Sequence, residues 1–223
     1  MKRGMLRATG RRLSKRDLGI LRAVESLIAG DAPGEIQMPL LVVCGAPRSG
    51  HTLTHQVIAH SLQVFVVNNF HYAFSRTPLI GYFLSKIFCR PYVSDFGSTG
   101  GYIPGLNGPH EGALIWEYWC DMCLKERRPR PDPARMRKFG QLLNQIYSID
   151  GRPYCDSWLG HTLYLQELQE IFPRNIVAAS RRDLLSTAFS IAEYTRTLGQ
   201  NGSYWSVQPR ECQDAELISQ SSP

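Results

Sequence analysis

From Met38 to Cys44 the chain runs Met-Pro-Leu-Leu-Val-Val-Cys, a continuous apolar stretch of the kind found in a strand covered on both faces in a parallel sheet. Behind it the period changes. Leu53 to Leu62 carries apolar residues at helix-compatible spacing, so Gly45 to Thr52 between the two reads as a tight loop joining strand to helix. Upstream, Leu18, Leu21, Val24, Leu27 and Ile28 recur at helical spacing behind Ser14, and Gly30, Pro33 and Gly34 end that run. Val64 to Val67 predicts a second strand, whereas Phe70 to Gly105 is aromatic and glycine-rich with no clean period and reads as an irregular, substrate-facing insertion. Helices are expected over Glu111–Lys125, Ala134–Ile146 and Leu163–Phe172, with a linker at Pro129, Pro131 and Pro133. A short strand over Arg152–Trp158, a third buried strand over Asn175–Ser180 and a last helix from Asp183 to about Arg196 complete the pattern. Strands alternating with helices predict an α/β fold, a three-layer α/β/α sandwich around a central parallel sheet.

With 223 residues, 43% of them hydrophobic and 20% charged, the chain has enough apolar material for one α/β domain. We divide it into a basic arm and short helix over 1–37 and the α/β domain over 38–223. The net charge of +6 at first points to nucleic acid. Its distribution points elsewhere, because Lys2, Arg3, Arg7, Arg11, Arg12, Lys15 and Arg16 all precede the first acid, Asp17. Removing those seven leaves 18 of the 25 basic residues against 19 acidic ones. The arm is read as a solvated terminus able to touch anionic surfaces, and no specific nucleic acid is expected as a partner. Six cysteines spread through apolar contexts in a chain of this length predict reduced thiols. Cys120 and Cys123 form a lone C-x-x-C with no second pair to complete four zinc ligands. Arg11-Arg12 does not begin an export signal, since Asp17, Arg22 and Glu25 interrupt the stretch behind it. With no window of ~18 apolar residues, no membrane span is expected and a cytoplasmic location follows.

Gly45-Ala46-Pro47-Arg48-Ser49-Gly50-His51-Thr52 has the spacing of the nucleotide-binding loop G-x-x-x-x-G-K-[ST], with His51 in place of the lysine. Between a buried strand and a helix, such a loop aims backbone N–H groups and the positive end of the helix dipole at an anion. The spacing predicts the strand-loop-helix topology of P-loop nucleoside triphosphatases. Loss of the lysine argues against triphosphate chemistry, because that residue contacts the β- and γ-phosphates.

These residues resemble the sulfotransferases that use 3′-phosphoadenosine 5′-phosphosulfate. Pro47-Arg48-Ser49-Gly50-His51-Thr52-Leu53 is similar to that family's 5′-phosphosulfate loop, commonly Pro-[Lys/Arg]-Ser-Gly-Thr-Thr-[Leu/Trp]. The resemblance implies that Arg48, Ser49, Gly50, His51, Thr52 and Leu53 meet the 5′ end of the donor, with Arg48 at its bridging region. Ile176 to Ser190 resembles the family's 3′-phosphate segment, an apolar strand, an arginine, and a helix bearing serine eight residues later. Arg182 and Ser190 fill those positions, with Arg181 the alternative if the register slips by one. A guanidinium presents a planar fork to phosphate oxygens, and a hydroxyl adds a neutral donor. Phe172-Pro173 and Tyr204-Trp205-Ser206-Val207 with Pro209 also resemble bacterial members, so the likeness extends over about Pro39 to Arg210.

Sulfuryl transfer needs a base for the acceptor proton and cationic cover for the leaving phosphate oxygen. Arg48 is expected to supply the cover, and the scheme requires no metal. Some family members resemble Gly108-Pro109-His110-Glu111-Gly112, with the carboxylate as base, which makes Glu111 the first candidate and His110 the second. His71, Asp156 and His161 are weaker candidates. Phe70, Tyr72, Phe74, Tyr82, Phe83, Tyr92, Phe96 and Tyr102 are either packing or walls for the acceptor, a carbohydrate or other small molecule with a hydroxyl. Two other functions fit the residues. One is a nucleotide kinase or nucleoside triphosphatase, which shares the loop; the other is a non-catalytic nucleotide-binding protein on a sulfotransferase fold. Members of the resembled family continue past the 3′-phosphate segment with further helices and a glycine-rich loop, whereas Gln208 to Pro223 is short and polar. The expectation is a minimal or C-terminally truncated member.

Overall fold

A computed structural model of the chain describes residues 15–29, 34–123 and 131–197. The basic arm before Lys15, the proposed helix stop at Gly30 and Pro33, Pro129 of the linker, and everything after Thr197 lie outside the described residues.

The fold is α/β. Four strands, β1 (Leu40–Gly45), β2 (Phe65–Val66), β3 (Tyr154–Asp156) and β4 (Asn175–Ser180), form a parallel sheet in the order β2-β3-β1-β4. The side chains of β1 show why it is central. Leu40, Val42 and Cys44 enter a large core with Trp116, Phe139, Leu143, Leu168 and Phe172. On the opposite face Val43 packs with Val64, Cys155 and Ile58. Alternate residues of one strand therefore meet helices on both sides of the sheet, which is why its sequence is apolar throughout.

The first face is covered by α4 (Pro78–Phe88), α5 (Ala113–Cys120), α6 (Pro133–Asp150) and α7 (Leu165–Ile171), and the second by α2 (His51–Ser61). Helix α1 (Lys15–Ala29) docks on α4, where the Glu25 carboxylate accepts from the N–H groups of Leu79 and Ile80 at 2.8 and 2.9 Å. Among the described residues no helix is long and apolar enough to cross a membrane.

Two expectations fail, each for a physical reason. The segment from Phe70 to Gly105 is helical over residues 70–73, in α3 (Asn69–Ala73), and over residues 78–88, in α4, whose Leu79, Ile80 and Tyr82 are buried. Pro78 at the first helical position and apolar residues even on the exposed face, Phe83, Ile87 and Phe88, conceal the 3.6-residue period there. Only the stretch from about residue 89 to residue 112 is irregular. The second failure is β4. It forms where expected, yet it is an edge strand with no partner among the described residues on its outer side, and Ile176 and Val177 are exposed. Helix α8 (Leu184–Thr197) follows, with Thr187 its one buried residue.

The chain leaves β1 over α2 toward the β2 side and later returns on the other side of β1 to make β4. A reversal of this kind opens a crevice at the carboxyl end of the strand where it occurs. Here that strand end is Gly45.

Candidate functional site

The loop after β1 is shaped by its glycines and by one strained residue. Gly45, at φ 150°, faces Ser180 across the sheet, and a Cβ there would stand 2.6 Å from the Ser180 carbonyl oxygen and 2.8 Å from Ser49 Oγ. Only glycine fits so close an approach. Ser49 N–H closes the turn on the Ala46 carbonyl at 3.1 Å. Arg48 sits in the left-handed region at φ 63°, where a residue with a long side chain is strained. Gly50, at φ 95°, is the N-cap of α2 and contributes no side-chain cap. The cap residue therefore offers no side-chain acceptor to the first N–H groups of the helix. The Ser49 hydroxyl is buried and has no hydrogen-bond partner among the described residues.

Around this loop the structure gathers residues from distant parts of the sequence. Arg182, just past β4, donates from Nη1 to the Arg48 carbonyl oxygen at 3.2 Å. Arg48 Nε donates to Ser190 Oγ on α8 at 3.2 Å, and its guanidinium carbon lies 5.0 Å from the centroid of the Tyr194 ring. Thr54 Oγ1 lies 3.2 Å from the Gly50 carbonyl and 3.3 Å from Ser180 Oγ, a second tie between α2 and β4. Asp183 is occupied otherwise, accepting from Ser186 N–H at 2.8 Å as the cap of α8. Arg48, Ser49, Gly50, Arg182 and Ser190 thus form one cluster. Leu53 is half-exposed on α2, and Arg181 is exposed just past β4.

Glu111 reaches the loop from the opposite side. Its Oε1 is 3.1 Å from His51 Nε2, with the carboxylate partly open to solvent and the histidine nearly covered. Gly101 stands beside them, where a Cβ would meet Thr52 Oγ1 at 3.5 Å and Glu111 Oε1 at 4.0 Å. His110 turns the other way. Its ring stacks on Tyr72 with centroids 3.5 Å apart, its Nδ1 bonds the Glu111 carbonyl, and burial lowers its pKa.

The weaker base candidates lie inside the protein. His71 is buried among Phe65 and Tyr82 with neither ring nitrogen partnered among the described residues, and burial pushes its pKa down to about 4. Asp156, at the end of β3, is fully buried beside His161 at 3.2 Å. Burial opposes its charge, but hydrogen bonds from His161, the Gly112 N–H and Trp116 outweigh that cost and hold it below the usual carboxylate range. This carboxylate seats the residue after Glu111: Gly112 N–H donates to Oδ1 at 3.1 Å, and Tyr154 and Trp116 donate to Oδ2. A Cβ on Gly112 would come within 2.7 Å of Oδ2.

Tyr194 and the Gly100-Gly101 turn escape a reading of the sequence. The one available signal was that Tyr194 stands four residues after Ser190, on the same face of its helix. Among the described residues no group of three or more His, Cys, Asp or Glu side chains is arranged to hold a metal ion. The chain matches no protein-family model, no curated protein and no solved structure.

Proposed function

We propose that the protein is a sulfotransferase that takes 3′-phosphoadenosine 5′-phosphosulfate as donor and a hydroxyl compound, a carbohydrate or other small molecule, as acceptor. The observation that carries this reading is the convergence of Arg48, Arg182 and Ser190 on one glycine loop at the end of the central strand, although Arg182 is 134 positions from Arg48. Two basic side chains and a hydroxyl at a strand-loop-helix turn suit a ligand with phosphates at both ends of a nucleoside. The unpartnered Ser49 hydroxyl and the uncapped start of α2 supply neutral donors for its 5′ end. On this reading the fold has the topology of P-loop proteins and the enzyme works in the cytoplasm.

In the transfer itself the acceptor hydroxyl gives its proton to the Glu111 carboxylate as its oxygen bonds to sulfur. The bond from sulfur to the 5′-phosphate oxygen breaks, and its electron pair leaves on that oxygen as adenosine 3′,5′-bisphosphate. Arg48 covers the developing charge, the role a magnesium ion fills in triphosphate chemistry. His51, in the position of the lysine of triphosphate loops, is engaged with Glu111.

Calorimetric titration with adenosine 3′,5′-bisphosphate, AMP and ATP tests the reading. The bisphosphate should bind at least about tenfold more tightly than AMP, because charge-assisted hydrogen bonds to the extra phosphate are worth ~1.5–3 kcal/mol. Arg182→Ala should abolish that preference and leave the fold intact. Equal affinities for bisphosphate and AMP reject the assignment, and magnesium-dependent binding of ATP alone favours a kinase.

A further inference from the structure

We propose that Tyr194 is a positioning residue for Arg48 and that Gly100 seats it, an inference that rests on the donor reading above. Helix α8 presents Ser190 and Tyr194 four residues apart, so both face the loop. The first accepts from Arg48 Nε at 3.2 Å, and the ring of the second lies under the guanidinium, whose carbon is 5.0 Å from the ring centroid. With its Nε bonded to Ser190 and its carbon over the Tyr194 ring, the planar group is tied at two points. Its two Nη groups, which no acceptor engages among the described residues, then form the edge that a donor phosphate would meet. The Arg48 backbone is fixed independently by Arg182. Tyr194 thus acts on the one part of Arg48 that the loop leaves adjustable.

The hydroxyl end of the ring lies close against a glycine. Gly100 is at φ 60°, and a Cβ there would stand 2.4 Å from the Tyr194 oxygen and 2.8 Å from two ring carbons. The Gly100-Gly101 turn is closed by reciprocal backbone bonds between Thr99 and Tyr102 at 2.9 and 3.1 Å. The segment leading into it is anchored by buried Gln56 of α2, which donates to the Gly97 carbonyl at 3.1 Å and accepts from Ser94 at 2.9 Å. Gly101 is also the neighbour of Thr52 and Glu111. One turn therefore stands beside the candidate base and behind the ring that orients the candidate arginine.

A double-mutant cycle on binding of adenosine 3′,5′-bisphosphate separates positioning from general support. Tyr194→Leu should weaken binding by about two- to fivefold, the size of an exposed cation–π contact. Tyr194→Phe, which keeps the ring, should restore wild-type affinity. On an Arg48→Ala background Tyr194→Leu should have no effect, because its target is gone. Gly100→Ala should weaken binding in the wild type and not in Arg48→Ala, an arm that decides the matter if Tyr194→Leu fails to fold. Additive losses on the Arg48→Ala background, or a Phe variant as weak as Leu, overturn the proposal. A wild-type protein that does not bind the bisphosphate overturns the donor reading and removes this inference with it.

Discussion

At the scale of single residues, the two adjacent base candidates have been given opposite surroundings. Glu111 points at the loop with its carboxylate beside His51, while His110 is pinned between the Tyr72 ring and a backbone carbonyl. Glu111→Gln should keep affinity for adenosine 3′,5′-bisphosphate but slow its release from the sulfated donor by ~10²–10⁴-fold, the usual size of general-base catalysis. His110→Ala should have a mild effect, since what it loses is a stack. The profile of rate against pH decides between them: an acidic limb that survives in Glu111→Gln and vanishes in His110→Ala reverses the roles. How far such residues are legible in a sequence depends on whether their partners are local. Arg48, Arg182 and Ser190 were singled out by a resemblance to two short family segments, each local in sequence, and the structure brings the three to one loop. The Glu111–His51 contact could not be read, because it joins positions 60 apart, one at the start of α2 and the other just before α5, whose pairing depends on how the chain folds between them. Tyr194 gave only the signal of its spacing from Ser190, since its contact with Arg48 joins residues far apart in sequence.

Elements show where pattern reading succeeds and where it stops. The apolar run of β1 and the loop behind it were legible because burial on both faces leaves a simple signature. Helix α4 was missed, and what fixes its start lies far away in sequence. Pro78 opens it, and Glu25 of α1, only 3% exposed, accepts from its N–H groups at Leu79 and Ile80. Glu25→Ala should therefore destabilise the protein by ~1–3 kcal/mol in urea unfolding, the cost of leaving buried donors unpaired. Glu25→Gln, which keeps an acceptor oxygen, should cost less. Burial raises the Glu25 pKa, against the pull of the two N–H donors. The folded state then holds a proton to higher pH than the unfolded state. The stabilisation from that proton is fully present below about 4.5 and is lost as pH rises through the folded value. Glu25→Gln has no such group, so the wild type should lose ground to it as pH rises from 4.5. A stability difference independent of pH would reject this account of the buried carboxylate.

Across the whole molecule, the candidate site straddles parts of very unequal support. Helix α6 buries Met136, Phe139, Leu142, Leu143 and Ile146 in the main core. Helix α8, which carries Ser190 and Tyr194, leaves Leu184 83% and Phe189 70% exposed, and the strand before it is an edge. Few buried apolar contacts mean a low free energy of local opening. Amide exchange in α8 should therefore be much faster than in α6 when no nucleotide is present. If Arg182 and Ser190 hold the 3′-phosphate, α8 cannot open without releasing the ligand, and its opening is penalised by the binding free energy. Adenosine 3′,5′-bisphosphate at 100 times its dissociation constant should then slow exchange in α8 by up to roughly 100-fold. AMP at the same saturation should protect α2 and the loop but leave α8 nearly as before, since it lacks the phosphate those residues would bind. Protection of α8 equal to that of α6 in the free protein contradicts the weak support read from its exposure. Equal protection of α8 by AMP and the bisphosphate contradicts the 3′-phosphate assignment, because the extra phosphate would then hold nothing that AMP does not.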